Sequence, residues 1–519
     1  MKTAKKILAL LLALATCLCM FTACGSNEEA ATEDEAAASD TIVILSSGAF
    51  EGSLDPTKNS VLSNKHLEFQ VFDCLLWYDE AGNLYPNLAK EWEYLEDGCT
   101  LRVYLEEGVK FHNGSEMTAE DVAASVEYTT REDSAVASNY GTTFECTVVD
   151  TYTVDLHPSN DQPLAALLTL LAHDAIMCKA DIEAGTLDDT MNGTGPYKFV
   201  KYENETAYLE KFEDYWNPDR AAKVQYAEYK YVAEASTRMA ALQSGEAQVI
   251  ERVDIEQVDV LSADTNVVVD KVVAEEQRYI VFKTTQGPMG NENLRKAMAY
   301  AIDTDVICND ILKGYGEVAD SYLPSVNPNY SSIPESERIT YDMDKAKELL
   351  AEAGYPNGEG LETIKYISST GLYPKSKEIA EYITQCWTDL GLDIELVVEE
   401  TAAWEGHLYE EASCYVTDTG WMNMFGDANA YLGVHYGTTG RVNFSSYADV
   451  DAALAKETTE TDDATRKAII ADELFPLLVN TCTNYPMYNS IVVFGRSANV
   501  SGVSYYPNSN IRFADISYN

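Results

Sequence analysis

The sequence predicts an α/β fold divided into more than one lobe. Three observations carry this. The chain has 519 residues, more than one ordinary hydrophobic core organises, so two or three lobes are expected. Residues 344–399 alternate helix and strand with glycine stops between them, the punctuation of a βαβ unit with parallel strands. Residues 193–282 form a middle region rich in strand-forming runs. A hydrophobic content of 46% supports globular packing throughout.

The first element is a leader. Lys2, Lys5 and Lys6 precede an apolar run at 7–14, and Phe21-Thr22-Ala23-Cys24-Gly25 follows. This is the basic, apolar and small-residue order of an export signal, and the apolar run is too short for a comfortable membrane span. The Cys24 context resembles a bacterial lipobox, with Phe21 where leucine is usual. That resemblance implies removal of residues 1–23 and lipid attached to Cys24. Residues 26–40 are acidic and small, which predicts a disordered tether as far as residue 40.

Order begins with a β-branched strand at 41–46. Leu67, Val71, Phe72, Leu75 and Leu76 recur at helical spacing, predicting a helix over 65–76. Residues 80–82 turn the chain, and 101–105 alternate as a half-buried strand does. Thr118-Ala119-Glu120-Asp121 reads as a capping box with Asp in the Glu position. Gly193-Thr194-Gly195-Pro196-Tyr197 turns into a strand at 197–202, paired with 206–212. A helix follows at 236–242, then two separate strands at 267–273 and 279–282, then a helix at 293–302. The last region gives helices at 344–353 and 377–390, closed by Gly354 and Gly391, and strands at 363–368 and 393–399.

Beyond that unit lies GWMNMFGDANAYL, residues 420–432. Trp421, Met422, Met424, Phe425 and Tyr431 lie within twelve residues of one acid, Asp427, and two glycines, Gly420 and Gly426, break any regular element. Aromatic area beside glycine and a single carboxylate suits the wall of a ligand pocket. Ligands of open α/β sheets bind beyond strand ends, where this stretch falls.

Composition narrows the function. The chain has 85 acids against 36 bases, a formal charge of −49, which repels nucleic acid and anionic lipid headgroups. Its 11 cysteines include no CxxC pair, so no zinc site is expected; exported disulfides and buried thiols both remain open. None of the 6 histidines forms HExxH, and no GxSxG, phosphate loop or GxGxxG is present. No enzyme, metal or cofactor is expected. A secreted hydrolase with paired carboxylates is the alternative from another class.

Ordered blocks then identify a resemblance. They are Leu54-Asp55-Pro56, Tyr85-Pro86-Asn87-Leu88-Ala89, Val109-Lys110-Phe111-His112-Asn113-Gly114 with Thr118–Val122, the Gly193–Tyr197 turn, Tyr215-Trp216-Asn217, Leu294-Arg295-Lys296-Ala297, Ala301-Ile302-Asp303 and residues 341–354. In this order, with a lipobox in front, the chain resembles the extracytoplasmic solute-binding proteins of peptide and nickel type ABC importers. The resemblance covers nearly the whole mature chain. It implies a two-lobed periplasmic-binding-protein fold of type II with an extra domain and a ligand cleft between the lobes. One lobe combines 41–68, 192–282 and 480–519, the extra domain is 69–191, and the other lobe is 283–479, with crossings near Phe282 and Val479. The implied role is a monomeric receptor outside the cell membrane, held by the lipid on Cys24. It delivers a peptide-like solute to an ABC permease and ATPase; an oligosaccharide, metal chelate or other small solute is the alternative cargo. Dipeptide-binding members hold the peptide's amino group with an aspartate and its carboxylate with an arginine. Met424 and Thr370 stand at those two positions here, so a zwitterionic dipeptide is a poor fit.

Overall fold

The computed structural model describes residues 40–50, 52–59 and 61–519. The leader, Cys24 and the tether expected before residue 40 lie outside the described residues. One 11-stranded sheet runs through the protein. Its two central strands are unusually long: Val267–Phe282 with 16 residues and Asn484–Ser497 with 14. They pair antiparallel with each other along most of their length.

Each long strand serves both halves of the sheet. On the first half, Val267–Val273 pairs with Ile491–Ser497, and the sheet continues through Val249–Ile250, Thr41–Ser46, Tyr226–Tyr231, Thr206–Lys211 and Tyr197–Glu203. On the second half, Glu276–Phe282 pairs with Val416–Met422, followed by Ile364–Thr370 and Ile394–Glu400. The register breaks between Val273 and Gln277, and again between Arg278 and Tyr279. The two strands expected at 267–273 and 279–282 are therefore one. Glu275, Glu276, Gln277 and Arg278 read as a polar interruption, yet all four are buried and the strand continues through them.

In the second half the βαβ reading is realised. Ile364–Thr370 and Ile394–Glu400 are parallel, joined by the helix Ser376–Leu390. Ile379, Ile383, Trp387 and Leu390 point inward from that helix, the spacing an amphipathic helix requires. Trp387 is fully buried, stacks edgewise on Tyr366 with ring centroids 5.2 Å apart, and donates its indole N–H to the Met298 carbonyl at 2.9 Å.

A separate four-stranded antiparallel sheet, Ala89–Tyr94, Leu101–Leu105, Thr153–Pro158 and Phe144–Asp150, lies in the region expected to be the extra domain. Its helix Ala119–Thr129 opens as the capping box predicts: Glu120 N–H donates to Thr118 Oγ1 at 3.3 Å, and Thr118 N–H to Asp121 at 2.9 Å. The helix expected at 65–76 is Leu62–Val71, and Leu76 already belongs to a short strand. The turn at Gly193–Tyr197 packs on the end of that helix. A Cβ on Gly193 would fall 2.1 Å from the Val71 carbonyl oxygen, so glycine is needed for this close approach.

The eight cysteines from Cys74 to Cys482 are free thiols, all buried except the half-buried Cys146. No described helix is long and apolar enough to cross a membrane.

Truncating Trp387 to Ala should cost about 3–5 kcal/mol, since it removes a large buried ring and its hydrogen bond. Urea denaturation of wild type and Trp387→Ala checks this.

Candidate ligand-binding cleft

Two adjoining cavities lie where the long strands cross between the sheet halves. The larger, about 510 Å³, is walled from the first half by Ser46, Ser63, His66, Tyr229, Glu251 and Arg252. From the second half come Gly371, Leu372, Tyr373, Thr401, Gly420 and Met422. The second cavity, about 260 Å³, shares Arg252, Glu276, Gly371, Leu372 and Tyr373 and reaches Arg278, Tyr315 and Tyr488. Spaces of this size between two structural halves suit a small organic ligand.

The walls mix apolar surface with charged groups. Glu251 is buried and accepts from Tyr229 Oη at 3.0 Å, Ser46 Oγ at 3.1 Å and Ser47 N–H at 3.2 Å, with His66 Nδ1 at 3.3 Å. Burial alone would raise this carboxyl, but His66, the Ser47 amide and Tyr229 outweigh it and hold the pKa below the ordinary glutamate value. Glu276 accepts from Ser490 Oγ at 2.6 Å and faces Arg252 Nη2 at 3.6 Å. Arg252 adopts a φ of 47°, uncommon for a residue with a side chain.

Arg278 borders the smaller cavity. Its Nη2 donates to Asp418 at 2.7 Å, and its guanidinium lies 3.4 Å from the ring centroid of Tyr373. Tyr366 Oη donates to the other Asp418 oxygen at 2.9 Å. Tyr373 is pinned in turn, donating to the Gly420 carbonyl at 3.0 Å. A Cβ on Gly420 would fall 2.7 Å from Arg278 Cδ and 3.0 Å from the Tyr373 ring. The glycine thus makes room for the stacked pair.

The stretch around residues 420–432 divides among three environments. Gly420 and Met422 face the larger cavity. Trp421, between them on the strand, turns to the other side and meets His435 edge-on at 5.3 Å. Met424 and Phe425 leave the cavities: Phe425 is buried against His173, in the region expected to be the extra domain, with centroids 5.9 Å apart, and the Met424 carbonyl accepts from Asn508, in the C-terminal segment, at 3.2 Å. They border a separate small cavity of about 30 Å³.

Asp427, the acid expected at the centre, does not line the cleft. It is buried, and Arg466 donates to both its oxygens at 2.7 and 3.0 Å. Its charge is spent on a partner 39 residues away. Tyr431 is fully buried, donating to Gln277 at 3.4 Å. Thr370 ends its strand one residue before Gly371, which borders both cavities. Among the charged residues that wall the cavities, Glu251, Arg252, Glu276 and Arg278 come from strand ends and the crossing. Their one sequence signal is charge set inside otherwise apolar strand runs.

The bulge holds one further acid. Glu275 is fully enclosed, accepting from Asn423 Nδ2 at 3.2 Å and from Asn327. Burial, with a smaller contribution from Asp427, pushes its carboxyl up to about 8, although the two amide donors act the other way. Asn423 also donates to the Asp427 carbonyl at 2.8 Å and accepts from the Gly426 N–H at 3.1 Å, tying the 423–427 turn to the bulge.

Residues 83–443 match the bacterial extracellular solute-binding proteins, family 5, middle region. The chain belongs to that family. The glutathione-binding protein GsiB of Pectobacterium atrosepticum is 28% identical over 457 residues, covering 84% of this chain and 86% of the relative. Among solved structures, the ABC transporter substrate-binding protein CtaP of Listeria monocytogenes superposes with a TM-score of 0.82 at 22% identity, covering 92% of this chain and 99% of that one. The periplasmic binding protein DppA of Helicobacter pylori, in complex with peptide STSA, gives 0.75 at 23%, covering 92% and 98%. The fold is the two-lobed one of this family, and the receptor is a substrate-binding component of an ABC importer rather than an enzyme.

Two outcomes follow from these contacts. Asp427→Asn leaves Arg466 with less charge compensation in a buried site, and should cost about 3–5 kcal/mol with ligand affinity unchanged; denaturation and ligand titration of the variant check both. Glu275 has a folded pKa above its unfolded one. Its contribution to stability is full below about 4.5 and is lost as pH rises through about 8. The melting temperature of Glu275→Gln should therefore exceed that of wild type increasingly from pH 5 to pH 9, measured by calorimetry at matched ionic strength.

Proposed function

We propose that this receptor captures a peptide-like solute in the cleft between its lobes, encloses it by lobe closure, and presents the closed form to an ABC permease. The observation that carries the reading is the pair of adjoining cavities, walled by both sheet halves at the crossing of the two long strands. A bend in two strands at one level is the hinge geometry that closes lobes around ligands, and the register breaks at Val273–Gln277 and Arg278–Tyr279 mark that level. Gly420, Met422 and the segment after Thr370 supply the second lobe's side of the site. The lobes are proposed as 41–68 with 192–282 and 480–519, the extra domain 69–191, and 283–479.

The relatives support a peptide-like cargo: one is named for glutathione and one holds the peptide STSA. The absence of charge at Met424 and Thr370 argues for a cargo other than a simple dipeptide. The mature chain is a monomer on the outer face of the cell membrane, held by lipid on Cys24, and contacts the membrane only through that lipid.

A library of di- to pentapeptides together with glutathione, screened by thermal shift, tests the cargo. A true ligand at a hundredfold excess over its Kd should stabilise the protein by about 2.7 kcal/mol and reduce its radius of gyration in small-angle scattering. Stabilisation by sugars or metal chelates alone would remove the peptide assignment. Cys24→Ala should abolish palmitate labelling and release the protein from the membrane fraction; labelling that persists in the variant would refute the anchor.

A further inference from the structure

We infer that the cargo carries a carboxylate and that Arg278 receives it in the smaller cavity of the cleft. This rests on the reading of the cleft as the solute site and adds the chemical class of one end of the solute.

Arg278 lines the smaller cavity from the second half of the strand Val267–Phe282. Its side chain is only 2% exposed. Nη2 is committed to Asp418, while Nε and Nη1 are buried without a hydrogen-bond partner. A guanidinium stays charged and keeps five N–H donors in one plane. Buried donors that nothing accepts from are costly, and more so on a charged group. An orphaned buried donor in a native structure calls for a reason, and a ligand that supplies the acceptor is one.

The surroundings make the group a receiver. Tyr373 covers one face and fixes the plane, and Gly420 leaves room for the stack. Asp418 is shared: Tyr366 donates to one of its oxygens and Arg278 Nη2 to the other, so it serves Arg278 through Nη2 alone. The neighbouring cation, Arg252, already faces Glu276 at 3.6 Å. Arg238, on the larger cavity, donates Nε, Nη1 and Nη2 to backbone carbonyls. Among the described arginines lining either cavity, Arg278 is the one with buried unpartnered nitrogens. A carboxylate matches it in charge, planarity and acceptor number.

The test compares peptides with free C-termini, the same peptides amidated, and the simple carboxylates succinate and citrate. Each is titrated by thermal shift and calorimetry against the full-length protein in mild detergent. Free-acid peptides should bind at least about tenfold more tightly than their amides. Arg278→Gln should abolish the difference, so that acid and amide of one peptide bind alike; the wild-type comparison needs no variant and stands if that variant fails to fold. Equal affinity of acid and amide overturns the inference and leaves the peptide reading in place. Binding of succinate or citrate, abolished in Arg278→Gln, with no peptide bound, supports the inference and removes the peptide reading. No binding by any of the three classes overturns both.

Discussion

The backbone ladder between Val267–Phe282 and Asn484–Ser497 is the constraint on which the rest depends. It is the seam through which both halves of the large sheet are joined. Because the seam is continuous, the halves cannot be set apart by a loop, and the ligand site has to form where the seam bends. The register breaks put Glu275, Glu276, Gln277 and Arg278 at that bend. A strand that must carry four polar side chains through a buried crossing needs a partner for each of them. Those partners, Asn327 and Asn423, Ser490 and Arg252, Asn489, and Asp418, are the local architecture of the site.

Much of this was legible in the sequence where the cause is local. Thr118 and Asp121 sit three residues apart, so the helix start they form is written in one turn of chain. Ile379, Ile383, Trp387 and Leu390 keep helical period, so the βαβ unit declares itself. The crossing was not legible for the opposite reason. Glu275 to Arg278 look like a loop until strands more than a hundred residues away bury them. The same holds for Asp427: its neighbours are aromatic, but its meaning is set by Arg466. Trp421 and Met422 show a smaller version. Alternation along one strand sends adjacent residues to opposite faces, and sequence alone does not say which face is the cleft.

The ordered family blocks carried the fold further than any single motif, and the structure gives several of them physical content. Gly193 and Gly195 allow a chain to pass against the Val71 carbonyl. Arg295 is buried and donates to the carbonyls of Met289 at 2.7 Å and Cys482 at 3.0 Å, stitching a helix to the loop that leads into the second long strand. These are packing devices of the scaffold. The charges in the cleft belong to other positions, which is how one scaffold presents different chemistry to different solutes.

The free thiols have a consequence for how this exported chain is made. Burial pushes them up, Cys482 to about 11 and Cys308 to about 12, with desolvation the leading cause in both. Thiolate is the species that attacks disulfides and oxidants, so the folded receptor is chemically quiet in an oxidising compartment. The unfolded chain, emerging from secretion, has no such protection. Folding is thus what withdraws these thiols from disulfide exchange, because the burial that quiets them exists only in the folded chain.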